Sequence, residues 1–112
     1  ALTLFNSDLT FTWSQALAGR ILNEAGKDES AQLSRLYQVL FAREPNKAEK
    51  AALKEYLTKE EGAIQQKLAE GKFQVAVPLG IKDAKQVNPV RAAAFVDLVH
   101  TVANSNDFAY RF

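Results

Sequence analysis

The chain has 112 residues, of which 47% are hydrophobic and 24% are charged, so its composition is that of one folded globular domain rather than of a disordered segment. Lysine and arginine number 14, aspartate and glutamate number 13, and the two signs are interspersed, which argues against the basic stripe of a nucleic-acid-binding protein. The sequence has no cysteine, which excludes disulfides, thiolate metal sites and covalent haem attachment within this chain.

The first predicted helix begins at Asp8 or at Thr12, and both starts fit one long element. Its apolar positions share one face of a helix with 3.6 residues per turn: Leu9, Trp13, Ala16, Leu17, Ile21 and Ala25. Gly26 follows where a left-handed C-terminal cap is expected, and the turn after it is short enough to make the first two helices neighbours. Large aromatic residues at helical spacing usually pack, so we interpret Trp13 as a core or edge anchor.

A helical hairpin between residues 30 and 68 is predicted to organise the rest of the chain. Ser30 is the expected N-cap of its first helix, and Pro45 ends that helix at or shortly before Arg43 because proline disfavours a helical conformation at the preceding residue. The apolar face of this helix comprises Leu33, Leu36, Tyr37, Leu40 and Phe41.

The third helix is predicted to start at Asn46, with Glu49 three residues later in a capping-box arrangement. Its apolar positions are Leu53, Tyr56, Leu57, Ile64 and Leu68. Gly62 is a weak point inside this helix, so a kink or an early stop is expected there as an alternative to a continuous helix.

An irregular crossover is predicted from Gly71 to Asn88, and it is the segment best suited to face a partner. Asn88 and Pro89 then form a strong helix start for a fourth helix that runs to about Ala103. Its inner face comprises Val90, Ala94, Phe95, Leu98, Val99 and Val102. The sequence therefore predicts an all-α fold, a small four-helix bundle with an irregular crossover between the third and fourth helices, in a single helical domain that spans residues 1–112.

The inventory of reactive side chains offers little for catalysis. His100 is the sole histidine, so it has no second imidazole for a metal site, and a hydrolase site would need it to converge with an acid and to be completed by another domain. We assign no catalytic, cofactor-binding or metal-binding residue. Trp13 and Tyr110 are the candidates for a small-ligand or glycan-binding site, because flat aromatic faces suit such ligands.

Three stretches together resemble a known family. They are Leu-Phe-Asn-Ser-Asp at residues 4–8, the Leu-Tyr-x-x-x-Leu-x-Arg-x-Pro-x-x-x-Glu pattern at residues 36–49, and Asn-Ser-Asn-Asp-Phe at residues 104–108. In this order they resemble the C-terminal region of a planctomycete-specific family of unknown function, large proteins often fused to planctomycete-type cytochrome c domains. The residues that carry the structural motif are Arg43, Pro45, Glu49, Asn104, Asp107 and Phe108.

The resemblance implies an exported, extracytoplasmic protein, at the cell surface or in the periplasm, in which any haem belongs to another domain. It carries over no catalytic residue and no cofactor. Arg43 is hypothesised to bond the carbonyls that end its own helix, or to pair with Asp107 or Glu49. The aromatic tail, residues 108–112, is expected to fold back onto the bundle.

The function expected from all these features is a non-catalytic packing or interaction module of a larger exported protein. Its partners would be other domains of the same polypeptide or a separate protein, without nucleic acid and without membrane insertion, since no run approaches the ~20 apolar residues that span a bilayer. The opening residues lack an initiating Met, and we read the chain as a processed or excised piece. The alternatives are the small-ligand or glycan-binding module and the partial hydrolase site.

Overall fold

The computed structural model describes residues 7–71, 77–82 and 88–105, with side chains from residue 11 onward, and these residues form four helices. The helices are α1 (Ser7–Ala25), α2 (Glu29–Phe41), α3 (Lys47–Ala69) and α4 (Pro89–Ala103). No strand occurs in these ranges, and the part of the crossover at residues 77–82 is irregular. The all-α fold with an irregular connection before the last helix is thereby confirmed.

The central element is α4, which packs mainly against α3 and α1. Phe95, Val96 and Val99 have no exposed surface. The buried residues of α4 lie on nearly every side of it: Ala92, Ala93, Ala94, Phe95, Val96, Leu98, Val99, Val102 and Ala103. The prediction that the α2–α3 hairpin organises the chain is therefore wrong, because α2 and α3 contact each other sparingly while α4 is apolar on most of its sides and must be enclosed.

The buried face of α1 differs from the predicted one. Leu17 and Ile21 are buried as expected, but Ser14 and Ala18 are fully buried beside them, whereas Trp13 is 40% exposed. Small side chains can be buried in a close-packed interior, and a pattern built on large apolar residues does not register them. Trp13 is thus no core residue.

The turn between α1 and α2 has the predicted glycine but a different cap. Gly26 adopts the left-handed conformation at φ +70° and closes the last turn of α1. The side chain of Asp28 accepts from the N–H of Ser30 at 3.0 Å, so Asp28 is the N-cap and the predicted cap at Ser30 is wrong. A carboxylate is favoured at the positive end of the helix dipole, and Ser30 instead accepts a hydrogen bond from Nζ of Lys50 on α3 at 2.7 Å.

The third helix is continuous through Gly62, so the early stop considered there does not occur. Leu53, Leu57 and Ile64 are buried as predicted, but Leu68 is 39% exposed near the end of the helix. At 23 residues α3 is longer than the 15-residue α4 against which it packs, and the burial of its apolar face does not reach Leu68.

The fourth helix begins and ends as predicted. The side-chain oxygen of Asn88 accepts from the N–H groups of Val90 at 2.9 Å and Arg91 at 3.1 Å, and Pro89 occupies the first turn, where its missing N–H costs nothing. The helix runs to Ala103.

Arg91 joins three helices near the start of α4. Its Nη2 donates to Oε1 of Gln32 at 3.0 Å, and its guanidinium lies 3.9 Å from Glu29 and 3.5 Å from Glu61. It also lies over the ring of Phe95, 5.7 Å from the centroid. Burial lowers the pKa of Arg91, and the two carboxylates oppose that shift, so the group stays charged where α2, α3 and α4 meet.

Candidate functional site

Two amide side chains on α1 hold the crossover against that helix. At one end, Nε2 of Gln15 donates to the carbonyl oxygen of Val77 at 2.9 Å. The N–H of Leu79 donates in turn to the main-chain carbonyl of Gln15 at 3.0 Å. At the other end, Nδ2 of Asn23 donates to the carbonyl of Gly80 at 2.8 Å.

A fourth hydrogen bond completes the attachment, because the N–H of Lys82 donates to Oδ1 of Asn23 at 3.0 Å. Gln15 and Asn23 lie two turns apart on α1, so they project from the same side of the helix. The amide of Asn23 both donates and accepts, which fixes its orientation. Residues 77–82 are therefore bonded to α1 at both ends although they form neither helix nor strand.

Gly19 lies midway between the two amides, one turn from each. A Cβ at this position would lie 1.7 Å from the carbonyl oxygen of Leu79 and 2.8 Å from its carbon. Any side chain would therefore force the backbone of the crossover away from α1. Glycine is required here because two main chains approach each other closely.

The crossover turns apolar side chains toward solvent. Val77 is 61% exposed and Leu79 is 45% exposed, whereas Pro78 between them is buried. Their backbone positions are fixed by the hydrogen bonds to α1. We call the exposed side of residues 77–82, together with Ala16, Arg20 and Glu24 of α1, the crossover surface.

The charged groups of the crossover surface are mostly basic. Glu24 accepts from Nε of Arg35 at 3.1 Å and from Nε of Arg20 at 3.5 Å. The hydrogen bond from Arg35 is the main cause that holds the pKa of Glu24 below its usual value, so the carboxylate remains ionised. An open depression of about 450 Å³ lies between Arg20 and Lys82, and Leu79 also lines it.

Only one of the two aromatic residues predicted as ligand-binding candidates lies in the described structure. Trp13 lies on α1 with 40% of its surface exposed. Tyr110 lies outside the described residues. The paired aromatic site thus stays a prediction.

The corner between α2 and α3 is built around one ion pair. Nη1 and Nη2 of Arg43 each donate to one carboxylate oxygen of Glu49 at 2.8 Å, and Nη1 also donates to the carbonyl of Glu44 at 3.0 Å. Of the partners hypothesised for Arg43, the structure thus places Glu49 in contact with it. The guanidinium also lies over the ring of Tyr37, 5.2 Å from its centroid, and 5.8 Å from that of Phe41.

The same carboxylate caps α3. Oε1 of Glu49 accepts from the N–H of Asn46 at 2.8 Å, while Oδ1 of Asn46 accepts from the N–H of Glu49 at 2.8 Å, which confirms the predicted capping box. Hydrogen bonds from Arg43 and then from Asn46 lower the pKa of Glu49 to about 2. Ala42 ends α2 in the left-handed conformation at φ 57°, and Pro45 is buried at the corner.

Of the closing motif, Asn104 and Ser105 lie in the described ranges. Asn104 ends α4 by donating twice to the carbonyl of His100, from its N–H at 3.1 Å and from Nδ2 at 2.7 Å. Asp107 and Phe108 lie outside the described residues, as does the tail whose docking was predicted. The proposed contact between Arg43 and Asp107 is likewise untested.

A polar cluster lies between α3 and α4. The hydroxyl of Tyr56 donates to Oε2 of Glu60 at 3.0 Å and is 3.1 Å from Oγ1 of Thr101. Burial raises the pKa of Tyr56 to about 12. Burial also raises the pKa of Asp97 to about 6, with a smaller repulsion from Glu60 and an opposing attraction from Lys67.

His100 packs its ring edge-on against Phe11, with 5.7 Å between the centroids. It lies one turn after Asp97 on α4, yet within the described ranges no hydrogen bond or ion pair joins its ring to an acid. The described residues also contain no group of three or more histidine, aspartate or glutamate side chains placed to hold a metal ion. None of their helices is both long and apolar enough to cross a bilayer.

A protein-family model described as "Protein of unknown function (DUF1553)" matches residues 1–57, just over half of the chain. The chain belongs to this family. No curated protein matches it significantly. No solved structure matches it either.

The match to the DUF1553 family covers α1, α2, the Arg43–Glu49 corner and the first half of α3. It therefore includes the α1 side of the crossover surface, but neither the crossover nor α4. The sequence pattern predicted the capping box at the corner, but it did not predict the hydrogen bonds that attach the crossover to α1. The signal in the sequence was Gly19, an isolated glycine inside a helical pattern, although Gly62 in α3 has the same pattern without a close contact.

Proposed function

We propose that this chain is a non-catalytic helical packing or interaction module of a larger exported protein. The partner would be another domain of the same polypeptide or a separate protein, and the contact would be made by the crossover surface. The proposal includes the finer points of the resemblance, namely a planctomycete-specific family, a C-terminal position in the full-length protein and an extracytoplasmic location. It treats residues 1–112 as one domain.

The observation that carries the proposal is the exposure of Val77 and Leu79 on a segment whose backbone is bonded to α1. An irregular segment normally turns polar side chains to water, and exposed apolar residues held in place are typical of a contact surface. Because Gln15 and Asn23 fix the backbone before any partner arrives, binding would require little additional ordering of this segment.

The motif residues have a supporting role in this proposal. Arg43 and Glu49 bond each other, and Asn104 bonds its own helix, so they stabilise the helix ends rather than face a ligand. We extend the same role to Pro45 at the corner and to Asp107 and Phe108 after α4.

The test compares side-chain oxidation by hydroxyl radicals in the isolated chain and in the full-length protein. Leu79 and Val77 should be oxidised several-fold more slowly in the full-length protein, because a neighbouring domain covers them. Leu68 on α3, with comparable exposure at 39%, serves as the internal control and should change little. The proposal is contradicted if Leu79 is oxidised equally fast in the isolated chain and in the full-length protein, and if an added partner protein does not slow its oxidation either.

One observation favours the hydrolase alternative over the glycan-binding one. Asp97 is a half-buried acid with a raised pKa, one turn from His100, and such acids are found at catalytic sites as well as at structural ones. The alternative predicts that Asp97→Asn in the full-length protein abolishes turnover of chromogenic ester or glycoside substrates. Unchanged turnover, or none in the parent protein, supports the non-catalytic proposal.

A further inference from the structure

The crossover surface concentrates positive charge that the chain as a whole lacks. Arg20, Arg35 and Lys82 lie around it, and Glu24 is the carboxylate between the two arginines. Among the described residues, these three cations and one anion leave an excess of two positive charges, whereas the whole chain carries a formal net charge of +1. The low pKa of Glu24 keeps that one carboxylate ionised, so the excess is not altered by protonation near neutral pH.

The arginines retain donors for a further anion. In the described part of the chain, each guanidinium donates to Glu24 only through Nε. The side chains are 55% exposed for Arg20 and 39% exposed for Arg35. A guanidinium has five N–H donors, and its terminal nitrogens suit a second carboxylate.

The apolar part of the surface lies within the same depression. Leu79 is 45% exposed beside the exposed Ala16, and the depression of about 450 Å³ is open to solvent. An open hollow of that size receives a side chain presented by an extended segment better than it encloses a small molecule. Apolar contact at Leu79 and the cationic groups of Arg20 and Lys82, which line the same depression, define one pattern for the partner.

We infer that the crossover surface binds an acidic protein segment in which a large apolar side chain is flanked by aspartate or glutamate. The apolar side chain would pack on Leu79 and Ala16, and the carboxylates would bond Arg20 and Lys82. This inference rests on the proposed function and adds the chemistry of the partner. Charge complementarity would set the association rate and the choice of partner, while the apolar contact would supply the affinity.

The probe is a fluorescein-labelled peptide that alternates glutamate and leucine, and binding to the isolated chain is followed by fluorescence anisotropy. Lys82→Glu and Leu79→Ser should each weaken binding about tenfold or more. The matched controls are Lys54→Glu, the same charge change at an exposed site on α3, and Leu68→Ser, the same apolar loss at a residue of similar exposure. Both controls should stay within about twofold of the parent chain.

Three results would overturn the inference. One is that the surface variants and their controls weaken peptide binding equally, which would mean that the peptide binds non-specifically. A second is equally tight binding of a peptide with lysine in place of every glutamate. The third is tighter, Lys82-dependent binding of single-stranded DNA or of phosphatidylserine vesicles, which would assign the surface to another class of anion.

Failure of this inference is distinguishable from failure of the proposed function. If the peptide does not bind but Leu79 is protected from oxidation in the full-length protein, the surface has a partner of different chemistry. If Leu79 is protected neither in the full-length protein nor by the bound peptide, the proposed function itself fails.

Discussion

Replacing Gly19 by alanine should separate α1 from the crossover. The new Cβ would lie 1.7 Å from the carbonyl oxygen of Leu79, a distance that no pair of non-bonded atoms tolerates. The neighbouring atom belongs to the backbone, so no side-chain rotation relieves the overlap. Residues 77–82 must therefore move away from the helix.

The cost follows from what the movement breaks. Four hydrogen bonds join the crossover to Gln15 and Asn23, and at about 0.5–1 kcal/mol each for such exposed bonds they contribute about 2–4 kcal/mol. Alanine in a helix interior returns about 1 kcal/mol relative to glycine. Gly19→Ala should thus lower the free energy of unfolding by about 1–3 kcal/mol.

The matched control is Gly62→Ala in the interior of α3. No described atom lies within 4 Å of a Cβ built there, so the substitution should gain helix propensity without a clash and stabilise the chain by up to about 1 kcal/mol. Urea denaturation followed by circular dichroism measures both variants. Hydrogen exchange at the amides of Leu79 and Lys82, which donate to α1, should speed up in Gly19→Ala alone.

The reasoning is refuted if Gly19→Ala stabilises the chain as much as Gly62→Ala does. It is also refuted if the two amides keep their protection, because the crossover would then not depend on the close contact.

Two further substitutions test the ion pair at the corner and the acid between α3 and α4. Arg43→Ala should cost about 1–2 kcal/mol at pH 7, because it removes a bidentate pair that is partly exposed. Since the pKa of Glu49 is lowered to about 2 in the fold, the electrostatic part of this loss of stability should be complete above about pH 4.5 and should vanish as the pH falls toward 2. Urea denaturation of the parent and the variant at several pH values measures it. A stability difference that stays constant with pH would contradict the prediction. Asp97→Asn should stabilise the chain by about 1 kcal/mol at pH 8, after allowance for screening by solvent. The reason is that the pKa of Asp97 is raised to about 6 in the fold, so the folded parent loses stability as the pH rises from about 4 through 6. Thermal unfolding at pH 8 should show the gain, and thermal unfolding at pH 3 should not.

Much of the fold follows from local chemistry that is legible in the sequence. Asn88 followed by Pro89 is a strong helix start, since one residue supplies the acceptor and the next has no N–H to satisfy. Asn46 and Glu49 form a capping box from their spacing alone. Glycine at position 26 adopts the left-handed cap because it has no Cβ. These features involve neighbours within one turn, so the sequence determined them.

The partners of the helices were decided only by the tertiary structure. The apolar pattern of α4 was visible, yet its central place depends on α1 and α3 enclosing it, and pattern alone does not say which helix is enclosed. Ser14 is buried and Trp13 is 40% exposed, against the order of hydrophobicity, because burial on α1 depends on which elements pack against each of its sides.

The crossover surface likewise combines features that can be read from the sequence with contacts that only the tertiary structure decides. Gly19 in a helix and apolar residues at 77 and 79 in a loop are both readable, but they lie about 60 positions apart in the chain, and no periodicity links positions so far apart. The sequence by itself determined four helices, the caps at Gly26, Asn46 and Asn88, and an apolar crossover. Only the tertiary structure brought that crossover against Gly19 and gathered the basic side chains around it, because a contact between distant backbones depends on the shape of the whole fold.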